Sequence, residues 1–168
     1  MKKSLPRAEP PDGRAQKWND TRGPSRSTES AIKTLPNAVP AAIDSEKFSW
    51  SVRVIDHEYA GGWDWKLEPK EVKGLLELLE SLQEMTWKEV KSLRFNSKKN
   101  RRQLHHSEKV TVICKEAQER LDQIGLGDQE ELYRLRHGNT VRVWGFRDRT
   151  VFCILWYDRN HRVYPQEK

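Results

Sequence analysis

Residues 132–157 read LYRLRHGNTVRVWGFRDRTVFCILWY, and the fold turns on how this stretch is divided. Three strand-like runs emerge, Leu132–Arg136, Thr140–Phe146 and Thr150–Tyr157. They are separated by His137-Gly138-Asn139 and Arg147-Asp148-Arg149, which are hairpin lengths carrying turn residues. The stretch therefore predicts a three-strand antiparallel meander. Its last run, Val151-Phe152-Cys153-Ile154-Leu155-Trp156, is continuously apolar, as expected of a central strand buried on both faces. In the first run Arg134 and Arg136 stand two residues apart and so share a face.

Upstream, the pattern changes period. Phe48, Trp50, Val52 and Val54 alternate with Ser49, Ser51 and Arg53, which predicts a half-buried strand. Tyr59-Ala60-Gly61-Gly62-Trp63-Asp64-Trp65 is a glycine turn with aromatic flanks. Pro69 suits the first turn of a helix, and Val72, Leu75, Leu76, Leu79 and Leu82 give that helix an apolar face. Thr86-Trp87-Lys88-Glu89 has the form of a capping box and opens a short second helix through Leu93. Phe95 to Lys109 reads as a basic, polar loop, and Val110 to Ile113 as either extended or a lead into a helix. Lys115 to Ile124 is helical, with Ala117, Leu121 and Ile124 on one face and Gly125 as the stop. The predicted order is β, α, α, α, β, β, β. This is an α+β fold in which two or three helices pack on an antiparallel sheet with a C-terminal meander.

Composition divides the 168 residues in two. Six of the eight prolines lie in the first 40 residues, and six of the seven tryptophans lie after residue 48. Residues 1–45 carry no period of 2 or 3.6 and predict a disordered, basic and Pro-rich arm. Two readings of that arm stand: a solvated tail, or a segment that folds on a partner or on nucleic acid through Trp18 and the patch Ile32 to Ile43. Residues 46–168 predict one compact domain. No run of about 18 apolar residues is present, and Met1 to Pro6 lacks the apolar stretch of a secretory signal, so a cytoplasmic protein is expected. Cys114 and Cys153 lack the paired spacing of a zinc site. They read as reduced, buried thiols, with a disulfide between them as the alternative.

The net charge of +6 has an address. Residues 48–93 carry nine acids and six bases, whereas residues 134–168 carry eight bases, seven of them Arg, against three acids. Arginine is the residue suited to bidentate phosphate contacts. A second basic cluster, Lys98, Lys99, Arg101 and Arg102, precedes His105-His106. That run reads either as a phosphate-binding loop or as a solvated turn, and the two histidines either enter an RNA cleft or pack structurally. His57, between Asp56 and Glu58, does not make a metal site, because consecutive residues in a strand alternate faces. Trp63 and Trp65 share a face and read as core packing, with base stacking as the alternative. His137 reads as a turn residue.

The predicted order, with Leu132-Tyr133-Arg134-Leu135-Arg136, Val141-Arg142-Val143-Trp144-Gly145, Phe152 to Trp156 and His161-Arg162-Val163-Tyr164, resembles the RelE/ParE superfamily of bacterial toxins. The closing pattern of that family is an Arg-bearing hairpin, an apolar strand and a His and Tyr end. The resemblance lies in the last 37 residues. It implies the toxin half of a toxin–antitoxin pair, held inactive by a small antitoxin. In the RelE and YoeB branches it implies an endoribonuclease that cuts mRNA, typically in the ribosome, without a metal or other cofactor. The ParE branch instead acts on gyrase and is not a nuclease.

Ribonucleolytic cleavage of that kind uses the substrate's own 2′-OH, so the protein supplies a base, an acid and charge stabilisation. By the resemblance Arg142 clamps the scissile phosphate, with Arg136 beside it. His161 and Tyr164 serve as acid, base or stacking groups. Arg134, Arg162, Lys98, Lys99, Arg101, Arg102, His105 and His106 hold the RNA. Two departures are visible. Arg162 and Val163 separate a His and a Tyr that are adjacent in the YoeB branch, and a catalytic carboxylate has no counterpart beyond Glu119 or Glu130. These leave a second reading, a non-catalytic module of the same fold that grips nucleic acid or a protein such as gyrase or a ribosomal component. A third is a mobile-element accessory protein whose arm is regulatory.

Overall fold

The computed structural model describes residues 41–96 and 101–165. A 3-10 turn, Ala41–Ser45, leads into β1 (Ser49–Ser51), α1 (Pro69–Gln83), α2 (Trp87–Ser92), β2 (Arg94–Asn96), β3 (Arg101–Gln103) and β4 (His106–Lys109). A second 3-10 turn, Val110–Val112, then precedes α3 (Lys115–Gln123), β5 (Glu131–His137), β6 (Val141–Asp148) and β7 (Val151–Asp158). The main sheet has the order β1-β7-β6-β5-β4, and β2-β3 is a separate two-stranded ribbon. The meander β5-β6-β7 stands as predicted, with turns at Gly138 (φ 61°) and Arg149 (φ 54°). The sheet is mixed, because β1 joins β7 in parallel while the other pairs are antiparallel.

The arm predicted over residues 1–45 lies outside the described residues as far as residue 40. Its last five residues form the first 3-10 turn, where Asp44 pairs with Arg147 at 2.6 Å and Lys91 at 2.8 Å. These ion pairs fasten the turn to α2 and β6, so residues 41–45 belong to the fold rather than to the predicted arm. The first strand is shorter than the Phe48 to Val54 alternation predicts. It ends at Ser51, and Val52 is 52% exposed.

Helix α1 opens on Pro69, with Glu68 and Glu71 forming a reciprocal cap. Its buried stripe is Leu75, Leu79 and Leu82; Val72 and Leu76 point outward, so the apolar face is narrower than its pattern. Helix α2 carries the predicted box, the Glu89 N–H donating to Thr86 Oγ1 and the Thr86 N–H to Glu89. The polar loop predicted from Phe95 to Lys109 is instead β2, β3 and β4. Strand β4 escapes hydrophobic pattern because its inward residues are His106 and Glu108, half-buried against Arg134.

Helices cover both faces of the sheet. On one face Leu75, Leu79, Leu82, Trp87 and Val90 pack on Tyr133, Leu135, Val143, Phe152 and Ile154. On the other, Ala117 and Leu121 of α3 pack on Leu132, Trp144, Leu155 and Trp156. A β-bulge makes this possible. The register slips between Trp144 and Gly145, so Leu155 has no partner in the ladder and falls on the same face as Trp156. The orphaned Leu155 carbonyl accepts the Trp65 indole N–H at 2.8 Å and the Asp56 N–H at 3.2 Å. At Gly145 a Cβ would stand 2.1 Å from the Cys153 carbonyl oxygen, so only glycine fits there.

Trp63 is a core residue stacked on Tyr59 and tilted against Trp156, and Trp65 is half-buried; both serve packing. His57 is exposed. The two cysteines are free and half-buried, so neither reaches the full burial expected of them. Among the described residues no helix is long and apolar enough to cross a membrane.

Candidate functional site

Helix α3 covers only part of its face of the sheet. Alternation puts Arg134 and Arg136 of β5 on that face with Leu132, and Arg142 of β6 with Trp144 and Phe146. Polar side chains at these sheet positions leave a cleft of about 880 Å³ between the sheet, the β2–β3 ribbon and the loop after β7. Five guanidinium groups line it, from Arg102, Arg134, Arg136, Arg142 and Arg162, together with His106 and His161. Among the described residues that line it there is no carboxylate. Residues dispersed over 60 positions of sequence thus share one cationic wall.

Arg142 is the deepest of the arginines, only 4% exposed. Its Nη1 donates to the carbonyls of Val141 (2.8 Å) and Asn139 (3.3 Å), and its Nε is buried with no partner among the described residues. Burial first, and then the charges of Arg134 and Arg136, bring its guanidinium down to about 10 against the opposing Asp158 carboxylate, still protonated at neutral pH. Asp158, its cross-strand partner, acts on it through space but makes no ion pair with it, so the guanidinium keeps donors for an added anion.

Arg134 lies between two histidines. Its Nη2 and Nε donate to His106 Nε2 at 2.7 and 3.1 Å, and its Nη1 to His161 Nε2 at 3.2 Å. Since arginine offers no acceptor, His161 Nε2 carries a lone pair when the contact is made, whereas His106 Nε2, shared between Arg134 and Glu108, accepts from the first in one tautomer and donates to the second in the other. The His161 Nδ1–H donates to the Tyr164 carbonyl at 2.6 Å, which fixes the complementary tautomer. Burial lowers the His161 pKa, and the Arg142 and Arg134 charges lower it further against the opposing Tyr164 carbonyl. The ring is thus neutral at pH 7, with a basic Nε2 in the cleft. His161 also holds φ at 59°, a backbone strain of the kind that concentrates at functional positions.

Asp158 organises the loop that carries His161. Fully buried, it accepts the backbone N–H groups of Asn160, Arg162 and Val163 at 2.9–3.2 Å. Arg159 ties the same loop to Glu71 (2.7 Å) and Asp64 (3.1 Å), away from the cleft. Tyr164 is half-buried behind His161, their rings 6.4 Å apart, and does not line the cleft.

Most predicted site residues therefore converge: Arg134, Arg136, Arg142, Arg102, Arg162, His106 and His161. His105 does not. It is 1% exposed, and its Nδ1 accepts the Arg136 N–H at 3.0 Å. Burial, with the nearby His106, Arg134 and Arg142, depresses it to about 4. It is a structural residue behind the wall, because neighbours along the chain at the start of β4 face opposite ways. Lys98 and Lys99 lie outside the described residues, and Arg101 contributes its backbone to β3. Neither Glu119 nor Glu130 lines the cleft. The carboxylate that touches the network is Glu108, 2.8 Å from His106 Nε2 and 3.4 Å from Arg134 Nε. The i, i+2 spacing of His106 and Glu108 puts them on one face only once β4 is a strand, and the register that sets them beside Arg134 is tertiary. Asp158 and Phe95 carried no sequence signal.

No family model, curated protein or solved structure matches the chain.

Proposed function

We propose that this protein is the toxin of a toxin–antitoxin pair and a metal-independent endoribonuclease, acting on mRNA in the cytoplasm and held inactive by a small antitoxin that covers the cleft. The observation that carries the reading is the buried Arg142, hydrogen-bonded among the described residues to carbonyls alone, in a cleft with five guanidinium groups and two histidines. That wall attracts a phosphodiester and repels a divalent cation.

In the proposed reaction His161 Nε2 takes the proton of the substrate 2′-OH. The 2′ oxygen then bonds to phosphorus and the bond to the 5′ oxygen breaks, leaving a 2′,3′-cyclic phosphate. Arg142 and Arg134 carry the charge that builds on the phosphoryl oxygens. Once Arg134 withdraws, His106 Nε2 takes a proton from solvent, shares it with Glu108 at 2.8 Å and passes it to the leaving 5′ oxygen. Substrate phosphate draws Arg134 off both histidines and so frees them. The acid limb of kcat/KM reports His161 and is expected below pH 6.5, because burial and two guanidinium groups lower that ring.

Expression of the wild-type chain should arrest growth and cleave mRNA, and Arg142→Ala or His161→Ala should reduce cleavage by about 100-fold or more. Purified protein should cut RNA on translating ribosomes with EDTA present. Full toxicity of the double variant would refute the catalytic assignment.

One observation favours a binding module instead: Arg134 occupies the Nε2 of both histidines, so neither base is free in this arrangement. Tight RNA or protein binding with no cleavage products in the same assay would select that reading.

A further inference from the structure

The β2–β3 ribbon places an aromatic ring at the mouth of the cationic cleft. Phe95 lines the cleft and is 38% exposed, in a chain whose other large aromatic rings mostly serve the core. The guanidinium of Arg136 lies over one face of the ring, 3.7 Å from its centroid. Arg136 is held there by donating its Nε to the Gly138 carbonyl at 3.0 Å. Phe95 pairs across the ribbon with Arg102, which lines the same cleft. An isolated two-strand ribbon is marginal by itself, so the Arg136–Phe95 stack both docks the ribbon and leaves the ring partly open.

We infer that Phe95, backed by Arg136, is a stacking platform for one unpaired nucleobase of an RNA strand whose phosphate is held by Arg142. The inference rests on the nucleic-acid reading of the cleft and adds a base subsite to it. A single-stranded nucleotide offers the two chemistries that meet here, a π face and an anion. Bases stacked inside a duplex cannot present a free face, so the platform selects single strands. Stacking accepts any base. Gln103 and Asn139 on the lining carry the donors and acceptors that discriminate between base edges.

The test is an abasic scan. A single-stranded hexanucleotide with 2′-deoxy sugars, which lacks the attacking hydroxyl and so blocks cleavage, is compared by equilibrium binding to the full chain with six versions lacking one base each. Wild-type protein is expected to lose affinity by roughly 5- to 100-fold when one particular base is removed. In Phe95→Leu, which keeps an apolar side chain to dock the ribbon, the intact oligomer should weaken by that factor, and loss of the same base should cost little more. Phe95→Trp should bind the intact oligomer as tightly as wild type or tighter. Binding that is indifferent to every base, or an unchanged penalty in Phe95→Leu, overturns the platform and leaves the phosphate cleft standing. No binding of the intact oligomer overturns the cleft reading and the platform together.

Discussion

His105 and Asp158 do for the cleft what no group inside it does: they set the backbone that aims its cations. The His105 ring is held neutral by burial, with its pKa at about 4 against an ordinary value near 6.5. Between those values the unfolded chain binds a proton that the folded chain does not, so stability rises with pH across that window. The contribution is complete above pH 6.5 and is lost as pH falls towards 4, on the order of 3 kcal/mol in all. Urea unfolding of wild type and of His105→Asn, which keeps an acceptor for the Arg136 N–H, should diverge in slope over this window. Parallel curves would remove His105 as their origin. Asp158 satisfies three backbone donors at once, and the amide of Asp158→Asn would turn N–H groups towards N–H groups. A loss of about 2–4 kcal/mol is expected in thermal or urea unfolding. Since His161 sits inside that loop, the same variant should lower kcat more than it weakens RNA binding, which the arginines of β5 and β6 sustain.

The bulge in β7 is the element that converts a simple meander into a scaffold with two packed faces. Without it Trp156 would fall on the face of α1, and Asp158 would lose its cage position behind the cleft. Gly145→Ala places a methyl group against the Cys153 carbonyl and should cost about 1–3 kcal/mol or more, visible as a lowered Tm. It should also weaken RNA binding, because Arg142 lies three residues away on the same strand. The three hairpin strands were legible in the sequence since their apolar and turn residues follow period and punctuation. The bulge was not, because a continuously apolar run such as Phe152 to Trp156 looks the same with or without an extra residue. Strand β4 was hidden for a different reason. Its inward positions are His106 and Glu108, stabilised by Arg134 rather than by apolar contact, so hydrophobic periodicity has nothing to report. The parallel pairing of β1 with β7 joins residues about 100 positions apart, a tertiary choice no local pattern encodes. At the site, Arg134, Arg136 and Arg142 were legible from β alternation. The separation of His105 from His106 was not, since both stood in an apparent loop.

At the scale of the whole molecule the question is where the surplus of +6 acts. Several of the cations are neutralised inside the fold: Arg120 by Asp56, Arg147 by Asp44, and Arg159 by Asp64 and Glu71. Arg134, Arg136 and Arg142 of the cleft instead meet carbonyls, histidines or an aromatic ring, and among the described residues Glu108 is the one carboxylate within ion-pair distance of them. An anion is therefore recruited by a concentrated group of charges rather than by the net charge, and the two can be told apart by salt. If Arg134, Arg136 and Arg142 each engage a phosphate of a single strand, log Kd against log salt should have a slope of about 2 in magnitude. Replacing any one of the three by Gln should reduce that slope by about 0.7, whereas replacing Arg120 or Arg159 should leave it unchanged. A diffuse surface attraction would instead respond alike to all five substitutions. Equal slopes across the series would place the binding outside the cleft, and with it the chemistry assigned to His161.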